Sequence, residues 1–230
     1  RLLAEDGRTL KSGKRAHKGP LSPKYKPELD VTDECDAKHM SQYQQLIGIL
    51  RLAVKLGRID IQIGVAIMSQ YQCSPCEGHL EAIYLIFHYL LKNPMKRLVM
   101  DPAIPGCDKN AFNIHADWKE FYGDLQEGDP PRMPKLLGNP VAINEFCDSD
   151  YASTVVTRRS HSGILVFVCN ALILTYNRKH NTVESSTFGA ELVAIQIIRD
   201  LIVSLRLELK SIGVPLLGAA NVYCDNTGVV

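Results

Sequence analysis

The chain has 230 residues, enough for one large domain or two small ones, and hydrophobic residues make up 46% of it. This apolar content supports a real core and argues against general disorder. The formal net charge of +1 indicates no particular partner. No apolar stretch reaches the roughly 18 residues that a membrane span requires, so we expect no membrane partner.

Residues 1–38 are polar and turn-rich, and we predict that they form a polar, basic arm. Basic side chains outnumber acidic ones in residues 1–27. Such an arm either contacts phosphates or is a solvated tail, and the solvated tail is the plainer interpretation.

Three amphipathic helices are predicted within residues 39–100, at about 41–56, 59–71 and 77–92. Short turns join them, which favours a small helical bundle. Arg97–Met100 is predicted to be a short strand. The acidic, proline-rich residues 101–140 contain Trp118 and are predicted to be a linker, with Trp118 docked against a neighbouring part of the protein.

From residue 141 to residue 230 the pattern changes to short apolar runs, which predict a second domain. A long helix is predicted from the caps at 185–187 to about Lys210, closed by Gly213, and a further helix begins after Asp225. The element order is therefore βββαβ. The predicted strands are Val141–Cys147, Gly163–Cys169, Ala171–Tyr176 and Asn221–Cys224.

The seven cysteines are odd in number and scattered, which argues against a secreted disulfide framework and favours a reducing compartment. Cys73 and Cys76 have the spacing of a redox or zinc motif, and His79 is close by. No second cysteine pair completes a zinc site, so we interpret this spacing as coincidental.

Three carboxylates stand at positions that predict a shared site. Asp148 and Asp225 end apolar, strand-like runs, and Glu191 lies near the start of the long helix. Strand ends converge at one rim of a sheet, where three carboxylates would repel each other unless cations lay between them. The arrangement indicates a hard-metal site and phosphodiester chemistry. Taken singly, each residue has a structural alternative, as a turn cap or as a favourable charge at a helix start.

The order of elements and acidic residues resembles the ribonuclease H fold, and local strings narrow the resemblance. Four strings resemble the RNase H part of copia-type retrotransposon polyproteins, and three upstream strings are similar to the thumb and connection of their reverse transcriptases. Together the resemblance covers about residues 30–230. The first four strings are 147–152, 157–163, 184–192 and 223–226, and the upstream strings are 43–50, 57–61 and 77–83.

The resemblance implies an α/β fold, in which a small helical bundle precedes an RNase H-like mixed sheet with a flanking helix. It implies hydrolysis of the RNA strand of an RNA–DNA hybrid, with two Mg²⁺ ions, or Mn²⁺ as the alternative, bound by the catalytic residues Asp148, Glu191 and Asp225. Asp150 is interpreted as a residue outside the ligand set.

The resemblance also implies partners and a location. The expected partners are the hybrid and the upstream polymerase domain of the same polyprotein, in a cytoplasmic particle or the nucleus. Three basic residues on the turn into the second strand are nucleic-acid candidates, with a solvated hairpin as the equal alternative. They are Arg158, Arg159 and His161.

Departures from the family pattern temper these expectations. The family's fourth metal-site residue lies on a later helix, and its polymerase site precedes Arg1, so we expect a truncated chain that cleaves weakly or not at all and has no polymerase site. The alternative function is a non-catalytic retroelement remnant that folds and binds nucleic acid. A retroviral-type integrase is disfavoured because its glutamate comes last, whereas Glu191 precedes Asp225 here.

Overall fold

The computed structural model describes residues 19–106, 120, 123–124, 127–129 and 131–226. Most of the predicted basic arm and the predicted docking of Trp118 lie outside these residues. The described fold is mixed α/β, with a helical region followed by a four-stranded mixed sheet, which confirms the predicted fold class. No helix in these ranges is long and apolar enough to cross a membrane.

The chain divides into two compact units, and the predicted domain boundaries stay a prediction. Each unit combines segments that are distant in sequence. The first unit comprises Arg1–Leu98, Asp150–His161 and Asn177–Glu184, and the second comprises Val99–Ser149, Ser162–Tyr176 and Ser185–Val230.

Helices α1 (Ala37–Lys55), α2 (Gln62–Met68) and α3 (Glu77–Lys92) build the first unit. The α2 helix is shorter than predicted, because 3-10 turns replace both of its ends. The Tyr43 hydroxyl donates a 2.7 Å hydrogen bond to the carbonyl of Met68, which joins α1 to α2. The apolar faces meet in one core, whose fully buried members include Leu46, Ile47, Leu50, Ile61, Leu80, Ile83 and Ile86.

The predicted strand at Arg97–Met100 is wrong, because these residues are in neither a helix nor a strand. Val99 and Met100 are largely exposed, so their apolar character does not reflect burial against a neighbouring strand. Further along the predicted linker, residues 127–129 contact the long helix of the second unit. Lys210 donates a 2.6 Å hydrogen bond to Asp129, and Arg206 donates to Glu127.

The sheet consists of β1 (Ile143–Asp150), β2 (His161–Val168), β3 (Ala171–Lys179) and β4 (Asn221–Cys224), in the order β3-β2-β1-β4. A two-residue turn joins β2 and β3 into a hairpin, with Cys169 at a φ of 55°. Strand β4 pairs with β1 in parallel, and Cys147 and Cys224 are partners in register. The predicted strands are confirmed, with ends displaced by up to three residues.

Helix α4 (Thr187–Ser211) follows the hairpin and packs on one face of the sheet. As predicted, a serine caps its start: Ser186 Oγ accepts a 3.1 Å hydrogen bond from the Gly189 N–H. Gly213 has a φ of 83° and lies just beyond its end, a conformation that favours glycine. The core beneath α4 contains Cys147, Ile164, Val166, Ala194 and Ile198.

Candidate functional site

Parallel pairing of β1 and β4 places two of the predicted carboxylates at the same end of the sheet. Asp148 follows Cys147 on β1, and Asp225 follows Cys224 at the end of β4. Because Cys147 and Cys224 are opposite each other, the two aspartates leave the paired region side by side. Both are exposed, as metal ligands at a rim would be.

Helix α4 supplies the third carboxylate. Ala190, Ala194 and Ile198 are almost fully buried against the sheet, and the small alanines allow the first turns of α4 to approach it closely. Glu191 lies between these contacts and is 5% exposed. One of its oxygens, Oε1, accepts a 3.1 Å hydrogen bond from the Ser149 N–H on β1. This bond fixes the carboxylate over the strand that carries Asp148.

The structure brings Asp148, Glu191 and Asp225 together. One carboxylate oxygen from each lies within 4.8 Å of the other two. This donor set fits Mg²⁺ or Mn²⁺, since these hard cations prefer oxygen ligands such as carboxylates. The role of the three residues in metal binding and catalysis stays a prediction. Asp150, two residues beyond Asp148 on β1, is exposed and belongs to no such group among the described residues.

The electrostatics of the cluster also favour a bound cation. Burial raises the pKa of Glu191, the Ser149 N–H opposes that shift, and the charges of Asp225 and Asp148 reinforce it. The ionised cluster therefore has unfavourable repulsion and desolvation that a cation would relieve. A cluster of this kind is typical of sites that hold metal ions.

The three basic candidates at the entry to β2 have different environments. Arg158 is exposed with a φ of 55°, and Arg159 is half-buried. His161 Nδ1 forms a 2.9 Å hydrogen bond with Ser153 Oγ. Burial and, next, the charge of Lys179 lower the pKa of His161, while the charge of Asp150 opposes the shift, and the net effect favours the neutral imidazole. Their predicted nucleic-acid contacts stay a prediction.

The first unit contains an open groove of about 840 Å³ that sequence reasoning missed. Among the described residues that line it there are four cationic side chains and no carboxylate, so the groove suits a polyanion. Two cations lie one turn apart on α1, and two are adjacent at the end of β3, so only the fold brings them together. These cations are Arg51, Lys55, Arg178 and Lys179, and His161 lines the same groove.

The Cys73–Cys76 spacing does not form a metal site with His79. Both ring nitrogens of His79 are engaged: Nδ1 accepts from the Cys76 N–H at 3.0 Å, and Nε2 bonds the Pro27 carbonyl at 2.9 Å. The histidine therefore joins the start of α3 to the segment that contains Pro27. Among the described residues, these three belong to no cluster of metal ligands.

The fold and the site define a class: a mixed α/β protein whose RNase H-like sheet carries a carboxylate cluster at one rim. The chain is 21% identical over 209 residues to the Retrovirus-related Pol polyprotein from transposon RE1 of Arabidopsis thaliana. The match covers 91% of this chain but only 12% of that polyprotein. No family model and no solved structure matches significantly. The similarity supports an origin as a fragment of a retrotransposon Pol polyprotein.

Proposed function

We propose that the chain is the RNase H-type endonuclease region of a copia-type Pol polyprotein, preceded by reverse transcriptase thumb and connection segments. The observation that carries this proposal is the approach of Asp148, Glu191 and Asp225 to within 4.8 Å at the rim of an RNase H-like sheet. The similarity to a Pol polyprotein along most of the chain supports it independently. The proposed substrate is the RNA strand of an RNA–DNA hybrid.

The proposed role of each carboxylate in metal binding follows from its position. Asp148 and Asp225 offer exposed oxygens, and Glu191 is held by the Ser149 N–H so that its charge stays beside them. A pair of bound Mg²⁺ or Mn²⁺ ions would lower the pKa of the attacking water and neutralise charge at the leaving oxygen. The upstream polymerase domain of the same polyprotein is the proposed protein partner.

The cleavage assay tests this function directly. The purified chain is incubated with a hybrid labelled on its RNA strand, in Mg²⁺ or Mn²⁺, alongside the matching RNA and DNA duplexes. We expect weak cleavage that is confined to the RNA strand of the hybrid and is lost in EDTA. Tight binding of the hybrid without cleavage in either ion would instead establish the alternative, a non-catalytic retroelement remnant that binds nucleic acid.

The groove of the first unit supplies the proposed phosphate contacts. Neutralising Arg51 and Lys55 together, as R51Q/K55Q, is expected to weaken hybrid binding because each cation releases counterions from a phosphate. The slope of log K against log salt should become shallower by about 2. Fluorescence anisotropy across a salt series measures both quantities.

The matched control removes two helical cations outside the groove. Lys38 and Lys92 are exposed, on α1 and α3 respectively, and do not line it. The K38Q/K92Q variant has the same net charge as R51Q/K55Q and should keep most of the affinity and the original salt slope. Equal losses in the two variants would show that the groove has no special role in binding.

A further inference from the structure

Two cysteines lie directly beneath the carboxylate cluster. Cys147 on β1 and Cys224 on β4 are in-register partners, and both thiols are free. Cys147 is 7% exposed, so it is largely screened from water, whereas Cys224 is half-buried and partly accessible. Their two sulfur atoms and one carboxylate oxygen of Glu191 all lie within 4.8 Å of one another. Only the parallel register of the two strands creates this arrangement.

We propose that Cys147, Cys224 and Glu191 form a second metal site, selective for thiophilic cations such as Zn²⁺. Two sulfur ligands with one oxygen ligand suit Zn²⁺, which binds cysteine, histidine and carboxylate ligands and leaves a fourth position for water. Mg²⁺ prefers oxygen ligands alone, so the sulfur atoms discriminate against it. This chemistry separates the site from the adjoining cluster of three carboxylates.

The two sites share one residue and so compete for it. Glu191 Oε2 lies 3.7 Å from Cys224 Sγ, and Glu191 Oε1 faces the Ser149 N–H. A zinc ion between the sulfur atoms and Glu191 therefore takes a carboxylate that the oxygen-ligand cluster also needs. Bound zinc should therefore inhibit cleavage of the hybrid RNA. This inhibition rests on the proposed function, whereas zinc binding itself does not.

Cobalt substitution tests the site without any activity measurement. The reduced full chain is titrated with Co²⁺, whose bonds to thiolate sulfur give a charge-transfer absorption in the near ultraviolet. We expect this band to saturate at one equivalent of Co²⁺, bound by Cys147, Cys224 and Glu191, and to disappear when Zn²⁺ is added. Mg²⁺ alone should give no such band, and saturating Co²⁺ should still give it in millimolar Mg²⁺, although competition for Glu191 raises the Co²⁺ concentration that saturation requires. Absence of a thiolate band from the reduced, folded chain would overturn the proposal.

A pair of matched variants assigns the band. C147S/C224S should lose it, whereas C73S/C76S should keep it, because the latter changes only the pair near α3. Serine at position 76 keeps the backbone N–H that donates to His79 Nδ1 at the start of α3. A band that persists in C147S/C224S and vanishes in C73S/C76S would place the metal at the other pair and overturn the proposal.

Milder variants keep the test meaningful if C147S/C224S does not fold. C224S alone alters a half-buried position, and E191Q leaves both cysteines in the core. Each should weaken Co²⁺ affinity at least tenfold while circular dichroism matches the parent. Parent-like affinity in both folded variants would overturn the assignment of these ligands.

Inhibition is measured separately in the hybrid-cleavage assay. Zn²⁺ added in slight excess over the protein should reduce Mg²⁺-dependent cleavage at least tenfold, and C224S should be at least tenfold less sensitive. Equal inhibition of the parent and C224S would show that this site does not control cleavage. A chain that binds the hybrid but cleaves nothing contradicts nuclease activity in this chain, yet the cobalt titration still decides whether the metal site exists.

Discussion

Replacement of Asp148 by asparagine is expected to reduce Mg²⁺-dependent cleavage of hybrid RNA at least 100-fold. Asparagine has nearly the same shape but no charge, so the cluster with Glu191 and Asp225 would lose one of its three negative charges. A loss of about 100-fold corresponds to about 2.7 kcal/mol of transition-state stabilisation, the size seen when one charge-stabilising group is removed from an active site. The measurement is the initial rate of RNA cleavage at saturating Mg²⁺.

Asp150 provides the control on the same strand. D150N makes the same chemical change two residues further along β1, at an exposed position outside the cluster. We expect its cleavage rate to stay within a few-fold of the parent. Parental cleavage by D148N would remove Asp148 from the mechanism, and equally severe losses in both variants would show that charge on β1, rather than the cluster, controls the rate.

Much of the fold could be predicted because apolar periodicity decides which faces are buried. The stripe containing Tyr43, Leu46 and Leu50 indicates α1 and is fully buried in the structure. The apolar residues at Arg97–Met100 show the limit of this argument. A strand needs a partner for its backbone groups as well as apolar side chains, and a local pattern carries no information about that partner.

The candidate site also contains features that the sequence could predict and features that it could not. Asp148, Glu191 and Asp225 could be found because each lies at a strand end or a helix start, where the chain turns toward a rim. The pairing of Cys147 with Cys224 could not, because it depends on the register between strands 77 residues apart in sequence. The cationic groove depends likewise on how α1 and the end of β3 approach each other.

Glu145 shows a conflict between sequence and environment that only the structure reveals. It lies within β1, two residues before Cys147, and is fully buried. Within the described part of the chain, neither of its carboxylate oxygens has a hydrogen-bond partner. Burial raises its pKa to about 7, well above the ordinary value of 4.5. An ionised carboxylate at this position therefore destabilises the folded state.

The pH dependence of this destabilisation has a definite sign. Below pH 4.5 the Glu145 carboxyl is neutral in both the folded and the unfolded chain, so its ionisation costs nothing. As the pH rises from 4.5 to about 7, the unfolded chain loses the proton first, and the free energy of unfolding falls. Above pH 7 the loss levels off at about 3 kcal/mol, an upper value for this shift.

Replacement of Glu145 by glutamine should therefore stabilise the protein in a pH-dependent way. Glutamine has nearly the same shape and stays neutral, so we expect E145Q to raise the free energy of unfolding by about 1–3 kcal/mol at pH 8 and by little at pH 4.5. Urea denaturation at both pH values measures the difference. The control E81Q changes an exposed glutamate and should have little effect at either pH. A gain for E145Q that is equal at both pH values would show that the benefit comes from packing, because only the charged form of Glu145 carries the desolvation cost.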